Sequence, residues 1–406
     1  MMFPPTFPLI CRCLRPTNRR MTMTPKTRTR WRMALPALMA LALAMPAAAQ
    51  DAPTEPAALT AAQFAPAVIR TDSIAGAYEV VHWAEAGLVF VASVPSFDKG
   101  SAGFIHVLDA NDLRPIRRIQ LPRRPFALAL DRSAGRLYAG NTLDGSLTVI
   151  DARGGQILDT IQLGQPEGEG FEHTRMIVLD EEKGLAFVTS PGRKGVTWIV
   201  DTRAGELLHR IEGGLWTAGA AYDAGAGRFY AGGGGIEEIA VIDAASGERV
   251  GAISTGDTTE EGEDASQHFF VNLAIDAEGQ RLFAADADKG ALYVFDIASG
   301  KVAAQVPVGP GTLDVAYNPA RSEIYATWRG EKAGTGGLAV IDAGDYAVKQ
   351  RLSLPTNPNS LEVGEDGRTL FVTVKAPHDK EHPDYREGAM DSVIRVDLER
   401  LGEGGE

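Results

Sequence analysis

Four of the seven histidines, His173, His268, His378 and His382, stand among carboxylates. Glu167, Glu169 and Glu172 flank His173, and Asp257, Glu260, Glu261, Glu263 and Asp264 precede His268. Imidazole and carboxylate together suit zinc or another divalent transition ion, and carboxylates alone suit calcium. A divalent metal is therefore the cofactor these residue types would take, with the four histidines as candidate ligands. The plain alternative is that acidic loops keep the protein soluble and their histidines are incidental. His378-Asp-Lys-Glu-His382 has the histidine spacing of H-E-x-x-H zinc proteases. Asp379 stands where the base Glu is needed, however, and Pro377 and Pro383 bracket a segment that would have to be helical. The chain has no G-x-S-x-G. The glycine run at 232–235 joins strand to strand, which excludes a phosphate-binding loop leading into a helix.

The first 49 residues read as a leader. Lys26, Arg28, Arg30 and Arg32 are followed by an apolar stretch at 34–45 and alanines at 47–49, the pattern of a secretory signal peptide. The apolar stretch has twelve residues where a span needs about 20, so the mature chain is expected to carry no membrane span. Met21 or Met23 is the expected start and Gln50 the first mature residue. The leader holds eight Lys/Arg, no Asp/Glu and both cysteines. What remains has 32 Lys/Arg against 53 Asp/Glu, a net charge of −21, which opposes binding to a polyanion. A periplasmic or secreted protein is expected, and one without a disulfide.

The elements that must position these residues repeat. A strand core recurs seven times: LVFVA (88–92), LYAG (137–140), LAFVT (185–189), FYAG (229–232), LFAA (282–285), IYAT (324–327) and LFVT (370–373). Each is followed by a strand ending in Asp109, Asp151, Asp201, Asp243, Asp296, Asp342 or Asp397, at intervals of 42 to 55 residues. After the Asp comes a turn such as Asp-Ala-Arg-Gly, in which a short carboxylate accepts backbone N–H groups and Gly supplies positive φ. These aspartates read as structural. With a further strand on either side, the repeat predicts an all-β, seven-bladed β-propeller with four antiparallel strands per blade. The seventh repeat lacks a fourth strand, and residues 67–74 supply a spare one. Blade seven is therefore expected to be closed by the N-terminal strand, which hides the free sheet edges. The expected organisation is a leader at 1–49, an N-terminal extension at 50–66, the propeller at 67–402 and a tail at 403–406.

These repeats resemble the YVTN or YncE-like family of extracytoplasmic seven-bladed propellers, with LYAGNT, FYAGGG, LFAADA and IYATWR at the place of its Y-V-T-N signature. The resemblance implies a secreted binding platform, and some family members are linked to DNA. Fold alone does not establish function.

The long loops fall between second and third strands (93–103, 328–337, 375–392) or between a fourth strand and the next blade (164–174, 256–269). Alternating strand direction puts both kinds on one face, where function concentrates. The starts of the innermost strands, in register, place Glu79, Arg124, His173 with Arg175, Trp216 with Thr217, Asn272, Asp314, and Asn359 with Ser360 around the channel mouth. Trp216 and Trp328, with Arg123, Arg124 and Arg329, would stack a base or a sugar. The leading reading is a monomeric, non-catalytic platform that binds a small molecule or protein on this face. The alternatives are a metal-dependent, lactonase-like hydrolase using Asp314, Asn272 and Glu79, and a propeller that binds single-stranded DNA.

Overall fold

The computed structural model describes residues 57–403, apart from 99, 169, 263, 332, 333, 356, 378, 379, 383 and 384. The leader and His378 lie outside the described residues. Seven four-stranded antiparallel sheets follow one another: blade 1 at 77–121, blade 2 at 125–162, blade 3 at 177–212, blade 4 at 219–253, blade 5 at 270–307, blade 6 at 312–354, and blade 7 at 358–397 with 68–74. Inner strands of successive blades pack on one another around the ring, and blade 7 packs on blade 1. The fold is a seven-bladed β-propeller.

The repeated residues have repeated tasks. Phe90, Tyr138, Phe187, Tyr230, Phe283, Tyr325 and Phe371 begin the signature on each second strand, and all are buried between sheets. Where the third signature position is Thr, its hydroxyl works at the seam. Thr189 accepts the Met176 N–H at 3.2 Å and donates to the Ala218 carbonyl of the next blade at 2.8 Å. Thr373 accepts Ser360 N–H at 3.1 Å and donates to Tyr78 of blade 1 at 2.8 Å. Blades 2 and 4 carry glycine there because the neighbour comes closer. A Cβ on Gly232 would lie 2.9 Å from the Phe270 carbonyl oxygen.

All seven third-strand aspartates accept backbone N–H groups two or three residues on, as Asp151 does from Gly154 at 2.9 Å and Asp201 from Arg203 at 2.8 Å. Six close a hairpin. The seventh, Asp397, has no fourth strand after it and instead starts the helix Leu398–Glu403, which the sequence reading did not foresee.

The N-terminal strand Val68–Ile74 fills the missing place, pairing antiparallel with Asp391–Asp397 in the register Val68↔Val396 and Thr71↔Val393. Leu59 goes further and bridges to the outer strand of blade 6, donating to Arg351 at 2.7 Å and accepting from Ser353 at 2.9 Å. Phe64 and Ala67 join the apolar cluster of Leu398 and Leu401. Both ends of the described segment are thus fastened at one seam. One short ribbon, Pro166–Glu167 with Gly170–Phe171, sits in the loop before blade 3 and was also unforeseen.

Candidate functional site at the channel mouth

The inner strands do not enter the sheet in straight register. In blades 1, 6 and 7 the pairing with the second strand slips between Ala77 and Val80, Thr312 and Val315, and Pro358 and Leu361. A bulge adds a residue on one side and re-aims the side chain there. The residues inside these three slips include Glu79, Asp314 and Ser360, each third in its strand, and Asn272 is third in blade 5. Blade 2 has Ala127 at the same place.

These side chains meet. Ser360 donates to Glu79 at 2.6 Å, Asn272 donates to Asp314 at 2.7 Å, and Leu361 N–H donates to the other Asp314 oxygen at 2.7 Å. Arg175 comes from the approach to blade 3 and crosses the opening. One guanidinium nitrogen donates to Asn272 of blade 5 at 3.3 Å, another lies 3.0 Å from the Met176 sulfur, and the group sits 5.1 Å from the Phe126 ring centroid of blade 2. Five side chains from five blades thereby form a polar layer across the channel.

Burial dominates the electrostatics of this layer. It pushes Glu79 well above the usual carboxyl range, and the Asp314 charge adds to the push. Burial also raises Asp314, but N–H groups of Leu361 and Val315 favour its charged form. Asp314 has three donors and Glu79 has one, so Glu79 is the carboxyl that keeps the proton. Burial lowers Arg175, against the charges of Glu79 and Asp314. Two residues after Ser360 in the same strand, burial raises Glu362 to about 7 despite Arg132 at 3.8 Å.

Around the mouth stand Tyr78, Lys375 and Arg329. The Lys375 ammonium lies 3.7 Å from the Tyr78 ring centroid and pairs with Asp391 at 3.1 Å. Phe126 covers Tyr78 at 4.2 Å and Phe97 meets it edge-on at 6.1 Å. The sequence reading missed Tyr78 and Lys375. Lys375 was legible in principle, because it stands two residues after Thr373 as Arg329 does after Thr327.

Other expected site residues lie elsewhere in roles the structure makes plain. Arg124 is ion-paired to Asp144 at 3.1 Å and donates to the Phe97 carbonyl, so its charge is spent on holding a loop. His173 and Arg175 precede the inner strand of blade 3, which starts at Ile177, and Trp216 precedes that of blade 4. His173 is lowered to about 4 by burial and by the Arg124 charge, which makes it a neutral imidazole. Asn359 is half-buried, and its neighbour Ser360 makes the contact. Trp216 is 5% exposed and Trp328 is 8% exposed, so neither presents a ring face for stacking. Trp328 is wedged between glycines, a Cβ on Gly309 falling 2.6 Å from its ring, and donates to Thr335 at 2.7 Å to hold the following loop.

The histidines are not brought together. His268 is fully buried at the entry to blade 5, with Nδ1 at 2.6 Å from Asp286 and Nε2 at 2.9 Å from Thr255 and 3.1 Å from Asp257. Both ring nitrogens are engaged. His173 precedes blade 3 and His382 lies in the last long loop of blade 7. Among the described residues no group of three or more His, Cys, Asp or Glu is placed to hold a metal. Nor do Asp314, Asn272 and Glu79 fit a calcium-type ion. Both Asp314 oxygens accept N–H groups, and the Asn272 oxygen accepts Arg175. A guanidinium occupies the neighbourhood a cation would need.

No helix among the described residues is long and apolar enough to cross a membrane. No family model matches the chain. The fold is shared with U3-55K (12% identity, TM-score 0.60, 82% of this chain and 98% of that one). It is shared also with the WD40 repeats of RRP9, at 12% identity and TM-score 0.61 over 81% of this chain and 96% of that one. In sequence, the YncE protein of Salmonella typhi is 31% identical over 327 residues, covering 80% of this chain and 88% of its own length. The YncE protein of Escherichia coli strain K12 is 29% identical over the same shares. With the blade signature, the N-terminal closure and this extent of identity, the chain belongs to the YncE family of β-propellers.

Proposed function

We propose that the chain is a non-catalytic extracytoplasmic binding protein, a monomer in the periplasm or secreted, whose small ligand enters the channel mouth on the loop-bearing face. The carrying observation is the polar layer of Glu79, Arg175, Asn272, Asp314 and Ser360, five side chains that no common blade geometry requires. Pockets recognise ligands through a few convergent polar groups backed by apolar walls, and Tyr78, Phe97 and Phe126 supply such walls here. The long loops around the mouth offer a protein partner a second surface.

The test is native mass spectrometry with elemental analysis of protein purified from its own host. A small organic molecule that co-purifies, and is absent from Asn272→Ala, is the expected result. A stoichiometric metal with no organic ligand would put the hydrolase reading first. A second reading, single-stranded DNA, draws on Phe97, a residue 36% exposed beside the mouth where a base could stack. The mature charge of −21 opposes it. Micromolar binding of a labelled oligonucleotide that survives moderate salt and is lost in Phe97→Ala would rank DNA above the small ligand.

A further inference from the structure

Two guanidiniums at the mouth have no counter-ion in contact. Among the described residues, neither Arg175 nor Arg329 has a carboxylate oxygen within 4 Å, whereas Arg124 has Asp144 and Arg132 has Glu181, Glu362 and Glu365. Arg329 leaves its Nε buried without a hydrogen-bond partner. It follows the second strand of blade 6, on the loop-bearing face, and its charge acts on Tyr78 of blade 1, Arg175 of blade 3 and Lys375 of blade 7. A charge felt by groups of three other blades lies near the opening. The nearby carboxylates do not make up the deficit. Asp314 is occupied by three N–H donors, Asp391 by Lys375 and two backbone N–H groups, and Glu79 by Ser360.

A guanidinium presents a planar fork of donors that matches carboxylate or phosphate oxygens, and neither of these two meets such an oxygen among the described residues. Resting on the reading of the mouth as the ligand site, we propose that the ligand is a small organic oxyanion, a carboxylate or phosphate, clamped between Arg175 and Arg329 above the Glu79 and Asp314 layer. The Tyr78 and Phe126 rings wall the clamp. Glu79 tunes it. The charged groups facing Glu79 are Asp314, Arg175 and Glu362, and an arriving anion adds negative charge beside them. Binding therefore strengthens as pH falls and Glu79 takes up its proton.

The experiment is isothermal titration of the full-length mature protein, dialysed free of oxyanions, with succinate and separately with inorganic phosphate, from pH 6 to 9. The expected result is saturable binding of at least one probe; the pH dependence is read with succinate, a dianion over most of this range, whose binding is expected to be weaker at high pH. Arg329→Gln, which breaks no side-chain hydrogen bond among the described residues, is expected to lose on the order of tenfold in affinity, as is Arg175→Gln. Glu79→Gln is expected to keep binding but lose its pH dependence, and Arg114→Gln on a distant turn to change nothing. The two probes distinguish carboxylate from phosphate. If neither binds, or if Arg329→Gln and Arg175→Gln bind as tightly as wild type, the oxyanion clamp is wrong. Should mass spectrometry then find a neutral or cationic ligand lost in Asn272→Ala, the mouth remains the site and only the ligand class falls.

Discussion

The outer turns and the inner-strand starts are both seven-fold positions, and they differ in kind. At the turns every blade has an aspartate, and every one accepts backbone N–H groups within its own turn. At the third residue of the inner strand the same sheet geometry is occupied by Glu79, Ala127, Asn272, Asp314 and Ser360 in blades 1, 2, 5, 6 and 7. A residue repeated in every blade answers a demand made by every blade. A buried polar residue that differs from blade to blade answers a demand of the channel, because Ala127 shows that the strand itself needs no polar group there.

The largest expected effect comes from breaking the ring that both sets share. Deleting residues 57–75 removes the strand paired to Asp391–Asp397, the Leu59 bridge to blade 6, and Phe64 and Ala67 from the cluster around Leu398 and Leu401. It leaves blade 7 with an open edge, which invites association. A fall in melting temperature of more than about 10 °C, or loss of a single cooperative transition, is expected. An unchanged melting curve by circular dichroism would mean that the ring is shut without this strand.

The difference between the two sets also explains how much could be read from sequence. The blades were legible because Phe90 to Phe371 and the seven aspartates recur at a fixed place, and recurrence is visible without coordinates. Glu79, Asn272 and Asp314 were legible as polar intrusions where a core strand should be apolar. The contact map was not. Arg175 spans blades 2 to 5 from a position before its strand begins, and the bulges that turn Glu79 and Asp314 inward leave no composition signal. Trp216 and Trp328 misled for the opposite reason, since a large ring in a loop reads as exposed until glycines such as Gly309 and Gly337 make room to bury it.

A smaller effect is expected at the turns. Asp151→Ala removes the acceptor of the Arg153 and Gly154 N–H groups, and Asp201→Ala that of Arg203 and Ala204. Each is expected to cost about 1 kcal/mol by denaturant unfolding, with ligand binding unchanged. The two lie in turns of different blades that share no partner, so their effects should add. A loss of binding in either variant would blur the division between turn and channel.

The finest test sets carboxylates of the two regions against each other through pH. Backbone N–H groups hold Asp201 below its ordinary range, so it contributes stability above the ordinary aspartate value and loses it as pH falls through its lowered one. Glu79 and Glu362 run the other way. Burial raises both, Glu362 to about 7, so the folded chain keeps protons that the unfolded chain has released. Their contribution shrinks as pH rises from the ordinary glutamate value of about 4.3 towards their raised values. Glu79→Gln, an amide of the same shape that does not titrate, is therefore expected to match wild type near pH 4 and to exceed it in stability at pH 9, with Glu362→Gln reaching its full gain just above pH 7. Asp201→Asn is expected to show the opposite trend, matching wild type only in acid and falling behind as pH rises. Urea unfolding at pH 4, 6 and 9 reads all three variants. A Glu79→Gln offset that stays constant across pH would show that this carboxyl titrates normally in the folded chain, and that the channel layer is as well solvated as the turns.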